Sequence, residues 1–163
     1  MKAIVVYESH WGNTAAVARA IAEGIGAGAT VLNTSEATGA AIAGADLIVA
    51  GAPILGFSLP TESMIKSLET GAARDPTPPD TSHPSMRAWL EKLPKGAGRC
   101  AGFETGIWWS PGSAAKAIQR RLEGLGYRPA GKPQRFKING KYGPMVAGEL
   151  ERAKAWGAEL ARG

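Results

Sequence analysis

Short apolar runs alternate along the chain with segments whose apolar residues return every three or four positions, the rhythm of strand–helix–strand units around a parallel sheet. Ala3 to Tyr7 is apolar throughout and ends in Glu8 and Ser9, which predicts a central strand covered on both faces. A helix follows, capped by Asn13 or Thr14, with Val17, Ile21 and Ile25 on one face and Gly26 and Gly28 at its end. Thr30 to Asn33 predicts a second strand, Ser35 to Ala43 a small helix, and Asp46 to Gly51 a third strand. Pro60 opens a helix to about Leu68, and Met86, Trp89, Leu90 and Leu93 mark another before Pro94, so two helices are expected in this crossover. Arg99 to Phe103 reads as strand four, followed by a helix capped at Ser110-Pro111 and buried through Ala115, Ile118, Leu122 and Leu125. Phe136 and Ile138 alternate with Arg135, Lys137 and Asn139 as in an edge strand. A last helix is expected from Pro144, with Val146, Leu150, Ala153, Trp156 and Leu160 inward. The expected fold class is α/β, a three-layer sandwich around a five-stranded parallel sheet, in one domain spanning residues 1–163.

Composition supports a packed core: 44% of the 163 residues are hydrophobic and 20% charged, which excludes global disorder. No apolar run approaches the ~18 to 20 residues of a membrane span, and the first ten residues do not read as a secretion signal. Cys100 is the only cysteine, which excludes an internal disulfide, a thiolate-rich zinc site and a cysteine-held iron–sulfur cluster, and a cytoplasmic location is expected. The proline-rich stretch around 71–84, with Asp75-Pro76-Thr77-Pro78-Pro79-Asp80 at its heart, reads as a connector inside the strand-three to strand-four crossover.

Charge is uneven. Lys116, Arg120, Arg121, Arg128, Lys132, Arg135, Lys137 and Lys141 face Glu123 alone in their segment, so this stretch carries all of the net +5 and more. Such a strip reads first as a solvated basic face, and as a contact it would suit an acidic protein, a membrane surface or nucleic acid, although no zinc-finger spacing or RNA-binding aromatic signature accompanies it.

Three loops carry candidate chemistry, because ligands in open α/β sheets sit beyond the carboxyl ends of the strands. Ser9-His10-Trp11-Gly12-Asn13-Thr14 joins strand one to helix one and combines hydroxyl and amide donors with a glycine at a helix N-terminus, a phosphate-binding arrangement. It has no Lys or Arg, and the chain lacks both GxxxxGK[ST] and GxGxxG, which argues against ATP and NAD. Pro53-Ile54-Leu55-Gly56-Phe57 follows strand three, and Glu104-Thr105-Gly106, Trp108 and Trp109 follow strand four.

On these residues the chain resembles the flavodoxin family, whose FMN phosphate loop has the form [ST]xxGxT, matched by Ser9 to Thr14, with Trp11 where Ser or Thr is frequent. The resemblance spans almost the whole chain and implies strand order 2-1-3-4-5, FMN as cofactor, and one-electron transfer between a reductase and an acceptor; the strip Lys116 to Lys141, read from charge alone, is a candidate contact for such redox partners. It implies that Ser9, His10, Trp11, Gly12, Asn13 and Thr14 hold the phosphate. Pro53, Ile54, Leu55, Gly56 and Phe57 would cover one face of the flavin ring, the Gly56 carbonyl turning toward N5 on uptake of one electron. The backbone of Glu104, Thr105 and Gly106 would hold the pyrimidine edge, and Trp108 or Trp109 the other face. Familiar members are acidic, whereas this chain has a pI near 9.6.

Two further readings stand beside the carrier: a flavin-dependent oxidoreductase, of quinone-reductase or porphyrinogen-oxidising type, and a flavin-free scaffold of the same fold. His10 reads as a solvent-facing loop residue without a triad partner, and His83, remote from it in sequence, builds no metal site with it. Cys100, Trp89 and Trp156 read as core.

Overall fold

The computed structural model describes residues 1–71 and 76–163, so the opening of the connector, including Asp75, lies outside the described residues. The elements are β1 (Ala3–Tyr7), α1 (Asn13–Ile25), β2 (Ala29–Asn33), α2 (Gly39–Ile42), β3 (Leu47–Pro53), α3 (Glu62–Gly71), α4 (Met86–Lys92), β4 (Arg99–Gly106), α5 (Ala114–Gly124), β5 (Arg128–Pro129), β6 (Gln134–Lys137) and α6 (Glu149–Arg162). The sheet order is β2-β1-β3-β4-β5, all parallel, and β6 also pairs with β4. The expected order 2-1-3-4-5 is therefore present, but its fifth place is shared by two short strands. β5 meets β4 at Arg99 and Cys100, and β6 meets it from Phe103 to Gly106.

Successive positions on the central strands point to opposite faces, and both faces are covered. Ala3, Val5, Leu47, Val49, Ala101 and Phe103 pack beneath α1 and α6, against Val17, Ile21, Ala153, Trp156 and Leu160. Ile4, Val6, Ile48, Ala50 and Cys100 face the other way, toward Ile42, Trp89, Leu90, Ile118 and Leu122 of α2, α4 and α5. α1 and α6 cross with their backbones nearly touching, since a Cβ on Gly24 would run into the Lys154 carbonyl and one on Gly157 into the Ile21 carbonyl.

Boundaries differ from those the sequence predicts in several elements: α2 is confined to Gly39–Ile42, α3 runs Glu62–Gly71 and β3 continues to Pro53, and four further differences frame the site. Strand β4 continues three residues past Phe103, since Glu104 and Thr105 are buried with partners: Arg135 and the Ala115 amide for the first, Thr14 for the second. Helix α5 starts at Ala114 rather than at Pro111, with Ser113 accepting from the Lys116 amide, because the carbonyls of Ser110 and Gly112 are held aside by Arg135. Helix α6 starts at Glu149, not Pro144; the preceding segment folds back on β6 through a cis Gly143–Pro144 bond, the Ile138–Met145 bridge and the Val146 amide on Lys137. Leu150 accordingly sits on the exposed side of α6, and Val146 lies outside it. At α1 the cap is Gly12, and neither Asn13 nor Thr14 caps with its side chain.

Candidate functional site

The loops after β1, β3 and β4 meet at the carboxyl edge of the sheet around a cavity of about 190 Å³. Of the residues singled out from sequence, Ser9, His10, Trp11, Asn13, Thr14, Pro53, Ile54, Leu55, Thr105 and Gly106 line it. Its walls are apolar on the β3 side and polar at the start of α1.

The polar end is built by Gly12. Its φ of 89° puts the chain in the left-handed region and turns the loop directly into α1, with no side chain capping the helix. A Cβ there would meet nothing within 4 Å, so the space above it is open. The loop's own side chains are otherwise employed. Ser9 Oγ accepts from the Gly12 amide at 3.1 Å, Asn13 Nδ2 donates to the Tyr142 carbonyl at 3.0 Å, and Thr14 Oγ1 lies 2.8 Å from Thr105 Oγ1. Trp11 Nε1 donates to the Thr77 carbonyl at 2.8 Å, fixing the indole against the connector. The amides of His10, Trp11, Asn13, Thr14 and Ala15 donate to no acceptor among the described residues. A half-buried helix start with free amides and a positive dipole end is chemistry for an anion.

Ile107 and Ser110, inside the loop after β4 that the sequence marked but without a role of their own there, also line the cavity, and Ile138, Gly140 and Lys141, which the sequence did not place in it, line it as well. Lys141 comes from the segment after β6 and lies 5.2 Å from the Trp11 ring centre and 5.3 Å from that of Tyr142. A cation therefore stands across from a loop that has none of its own. Its place beside Trp11 brings together segments far apart along the chain, which no local pattern announces.

Other candidates are placed differently. Gly56 and Phe57 form the tight turn between Leu55 and Ser58, which bond across it, and Gly56 has φ 65°. Phe57, Trp108 and Trp109 are exposed at 73%, 73% and 64%, outside the cavity lining. Glu104 is a buried framework residue: its carboxylate takes Arg135 Nε at 2.7 Å and the Ala115 amide at 2.9 Å. The backbone from Glu104 to Gly106 lies between β3 and β6 in the sheet ladder, with the Ile54 amide on the Thr105 carbonyl and the Ile138 amide on the Gly106 carbonyl.

His10 is not the solvent-facing residue its sequence position suggests. It is 4% exposed, with Nε2 2.7 Å from Glu8 Oε2 and Nδ1 2.6 Å from the Asp80 carbonyl. Burial opposes its charge, but the Glu8 bond and the Asp80 carbonyl prevail, and its pKa is raised. His83, thought remote, stacks on it with ring centres 5.6 Å apart. Burial and the neighbouring His10 charge lower the pKa of His83. Only the folding of the connector over the β1 loop brings the two together. Among the described residues no cluster of three or more His, Cys, Asp or Glu side chains has the arrangement of a metal site.

Solved structures with the same architecture span the chain. An archaeal flavodoxin is 21% identical with a TM-score of 0.66, covering 99% of this chain and 97% of that one. Flavodoxin 1 of Bacillus cereus is 17% identical with a TM-score of 0.69, covering 99% and 98%. The chain has the flavodoxin fold. The Megasphaera elsdenii flavodoxin, solved in its two-electron-reduced state, is 20% identical with a TM-score of 0.61, covering 99% of each chain. No family model matches the sequence. No curated protein matches it either. In the flavodoxin fold the cavity described above lies beyond the strand ends at the place where the order reverses between β1 and β3. No helix among the described residues is long and apolar enough to cross a membrane.

Proposed function

We propose that this protein is an FMN-binding electron carrier that passes single electrons between a reductase and an acceptor. The observation that carries the reading is the uncapped start of α1 beneath Ser9 to Thr14, where unpaired amides and the open space over Gly12 meet at one point. That donor set fits a phosphate monoester, which accepts several N–H bonds at once and is favoured by the helix dipole.

FMN, when bound, supplies a ring that accepts and releases electrons. The chain's own residues bind and orient it. The loop amides from His10 to Ala15 would hold the phosphate, with Lys141 adding a positive charge at the cavity wall. Pro53, Ile54, Leu55, Ile107 and Ile138 would give the ring an apolar seat that excludes water from its inner side. Leu55, Gly56 and Phe57 would cover one face, the Gly56 peptide turning its carbonyl toward N5. Glu104 and Thr105 hold the backbone under the seat through Arg135 and Thr14, and the exposed rings of Trp108, Trp109 and Phe57, which follow the lining residues Leu55 and Ile107 in the chain, would be available to a flavin face.

A redox partner would approach this edge, where Lys137 and Lys141 are exposed and Arg135 is drawn inward by Glu104. Arg128 of the basic strip lies at the other end of the sheet, beside Arg99 at the start of β4, so the strip does not form one face around the cavity. The sign of Lys137 and Lys141 favours an acidic partner and a rate that falls with ionic strength.

The reading is tested by titrating flavin-free protein with FMN and with riboflavin, following flavin fluorescence. FMN should bind at least ~10-fold more tightly, the difference reporting the phosphate loop. Equal affinities would remove the loop from the reading. Absence of binding by folded protein would leave the flavin-free scaffold.

A further inference from the structure

Beneath the phosphate loop the connector is fastened by an unusual set of bonds. The Asp80 amide donates to the His10 carbonyl at 2.7 Å, and His10 Nδ1 donates to the Asp80 carbonyl, so the two backbones are tied in both directions. The Ser9 amide donates to His83 Nε2 at 3.1 Å. Glu8, completely buried, takes His10 Nε2 on one oxygen and the Met86 amide on the other at 2.7 Å, so the same carboxylate holds the start of α4.

These partners dictate where the protons are. Both ring nitrogens of His10 face acceptors, a carbonyl and a carboxylate, so the ring is an imidazolium paired with Glu8. His83 must keep Nε2 unprotonated to accept from Ser9, so its proton sits on Nδ1, 3.9 Å from Asp80 Oδ1. The stacked pair therefore holds one positive charge. A second proton on His83 would replace the acceptor facing Ser9 with a donor and set two cations face to face.

We propose that His10 and His83 are positioning residues for the phosphate loop, a singly charged pair that locks the connector beneath it, so that protonation of His83 unlocks the loop and weakens anion binding. This rests on the FMN reading for the identity of the anion. The groups facing the pair are Glu8 from the end of β1, Asp80 on the connector, and, on the far side of Trp11, Lys141 and Tyr142. The pH window follows from the two directions. His83, lowered below its ordinary 6.5, contributes its lock above that value and loses it as pH falls through the folded pKa. His10, raised above 6.5, contributes below that value and loses its part as pH rises through its own folded pKa. The lock is therefore strongest between the two.

The experiment compares FMN and riboflavin affinities between about pH 5 and pH 8 for the wild type and His83→Gln, whose amide oxygen can accept from Ser9 without titrating. Ionisation of the FMN phosphate near pH ~6 acts on both proteins alike. The FMN-over-riboflavin preference of the wild type should fall more steeply on acidification, by up to ~10-fold per pH unit below the His83 pKa, while the variant shows only the shallower phosphate-dependent slope. Parallel profiles would overturn the proposal.

A readout on flavin-free wild type stands apart from the cofactor and from the folding of the variant. The Ser9 and Asp80 amide resonances should move together with protonation of the His83 ring, and the His10 ring should stay doubly protonated to a higher pH than the His83 ring. Ser9 and Asp80 amides that ignore the His83 titration would overturn the lock even if FMN binds. Failure of FMN to bind at any pH would instead sink the functional reading, and the amide titration would still decide the lock.

Discussion

Arg135 concentrates more of the site's framework in one side chain than any local pattern suggests. Its Nε pairs with Glu104 at 2.7 Å, while the other guanidinium nitrogens hold the carbonyls of Ser110 at 2.6 Å and Gly112 at 2.9 Å. Arg135→Met keeps the apolar stem and removes all of these bonds, leaving Glu104, 3% exposed at its side chain, with the Ala115 amide as its main donor. Stripping the partner from a fully buried charge costs about 3–5 kcal/mol; the Arg135 side chain is 19% exposed, so water reaches the vacated side and we expect about 2–4 kcal/mol. At this chain length that is a fall in Tm of about 5–15 °C. Arg135→Lys should lie between, because an ammonium cannot span a carboxylate and two carbonyls. The assay is a urea-denaturation cycle with Glu104→Gln as the second substitution, where coupling of about 1–3 kcal/mol is expected. In parallel, FMN and riboflavin should weaken by the same factor, since the released segment includes Ile107 and Ser110, which on the proposed reading would face the ring rather than the phosphate. Additive single substitutions, with coupling under ~0.5 kcal/mol, would refute the assignment of Arg135 and Glu104 as one unit.

Gly24→Ala and Gly157→Ala should each destabilise by about 1–3 kcal/mol in chemical denaturation, because either methyl meets a backbone carbonyl of the facing helix; a neutral result would mean that α1 and α6 do not cross this closely. Burial, and secondarily the charge of Glu123, push the Cys100 thiol up to about 12, so a thiol reagent at pH ~8 should leave native protein untouched and react once urea unfolds it. Gly56→Ala should cost about 1–2 kcal/mol, since φ is 65° and the new Cβ would lie 3.1 Å from the Met64 methyl. In FMN-loaded protein the same change should narrow the separation between the first and second electron potentials, and an unaltered separation takes Gly56 out of that role.

Much of the fold was legible because the central strands carry their burial in their composition. Ala3 to Tyr7 and Leu47 to Ala50 have no polar residue to spare for solvent, which only a sheet covered on both sides permits. Errors fell where a polar residue is buried with a distant partner. Glu104 and Thr105 read as the end of β4 because polar residues usually leave a strand for water, yet one is neutralised by Arg135 and the other shares a hydrogen bond with Thr14. Pro111 and Pro144 read as helix starts because proline fits the first turn, but the carbonyls and bridges around them had been claimed by Arg135 and β6.

The loop proposed to hold phosphate could be picked out because its donors are contiguous: six consecutive residues supply the turn, the glycine and the helix start. The proposed seat for the ring could be picked out only in part: Ile107 lies in the loop after β4 that the sequence marked, whereas Ile138 and Lys141 reach the cavity from a segment whose local pattern says nothing of a ligand.

The sequence by itself determined the alternation of strands and helices, their order, and a glycine-bent loop between β1 and α1, because each is written in residues close together along the chain. Tertiary structure alone decided the charge state beneath that loop. Glu8, His10, Asp80 and His83 are separated by some seventy residues, and a histidine's proton is set by the acceptors packed against it rather than by its neighbours in sequence.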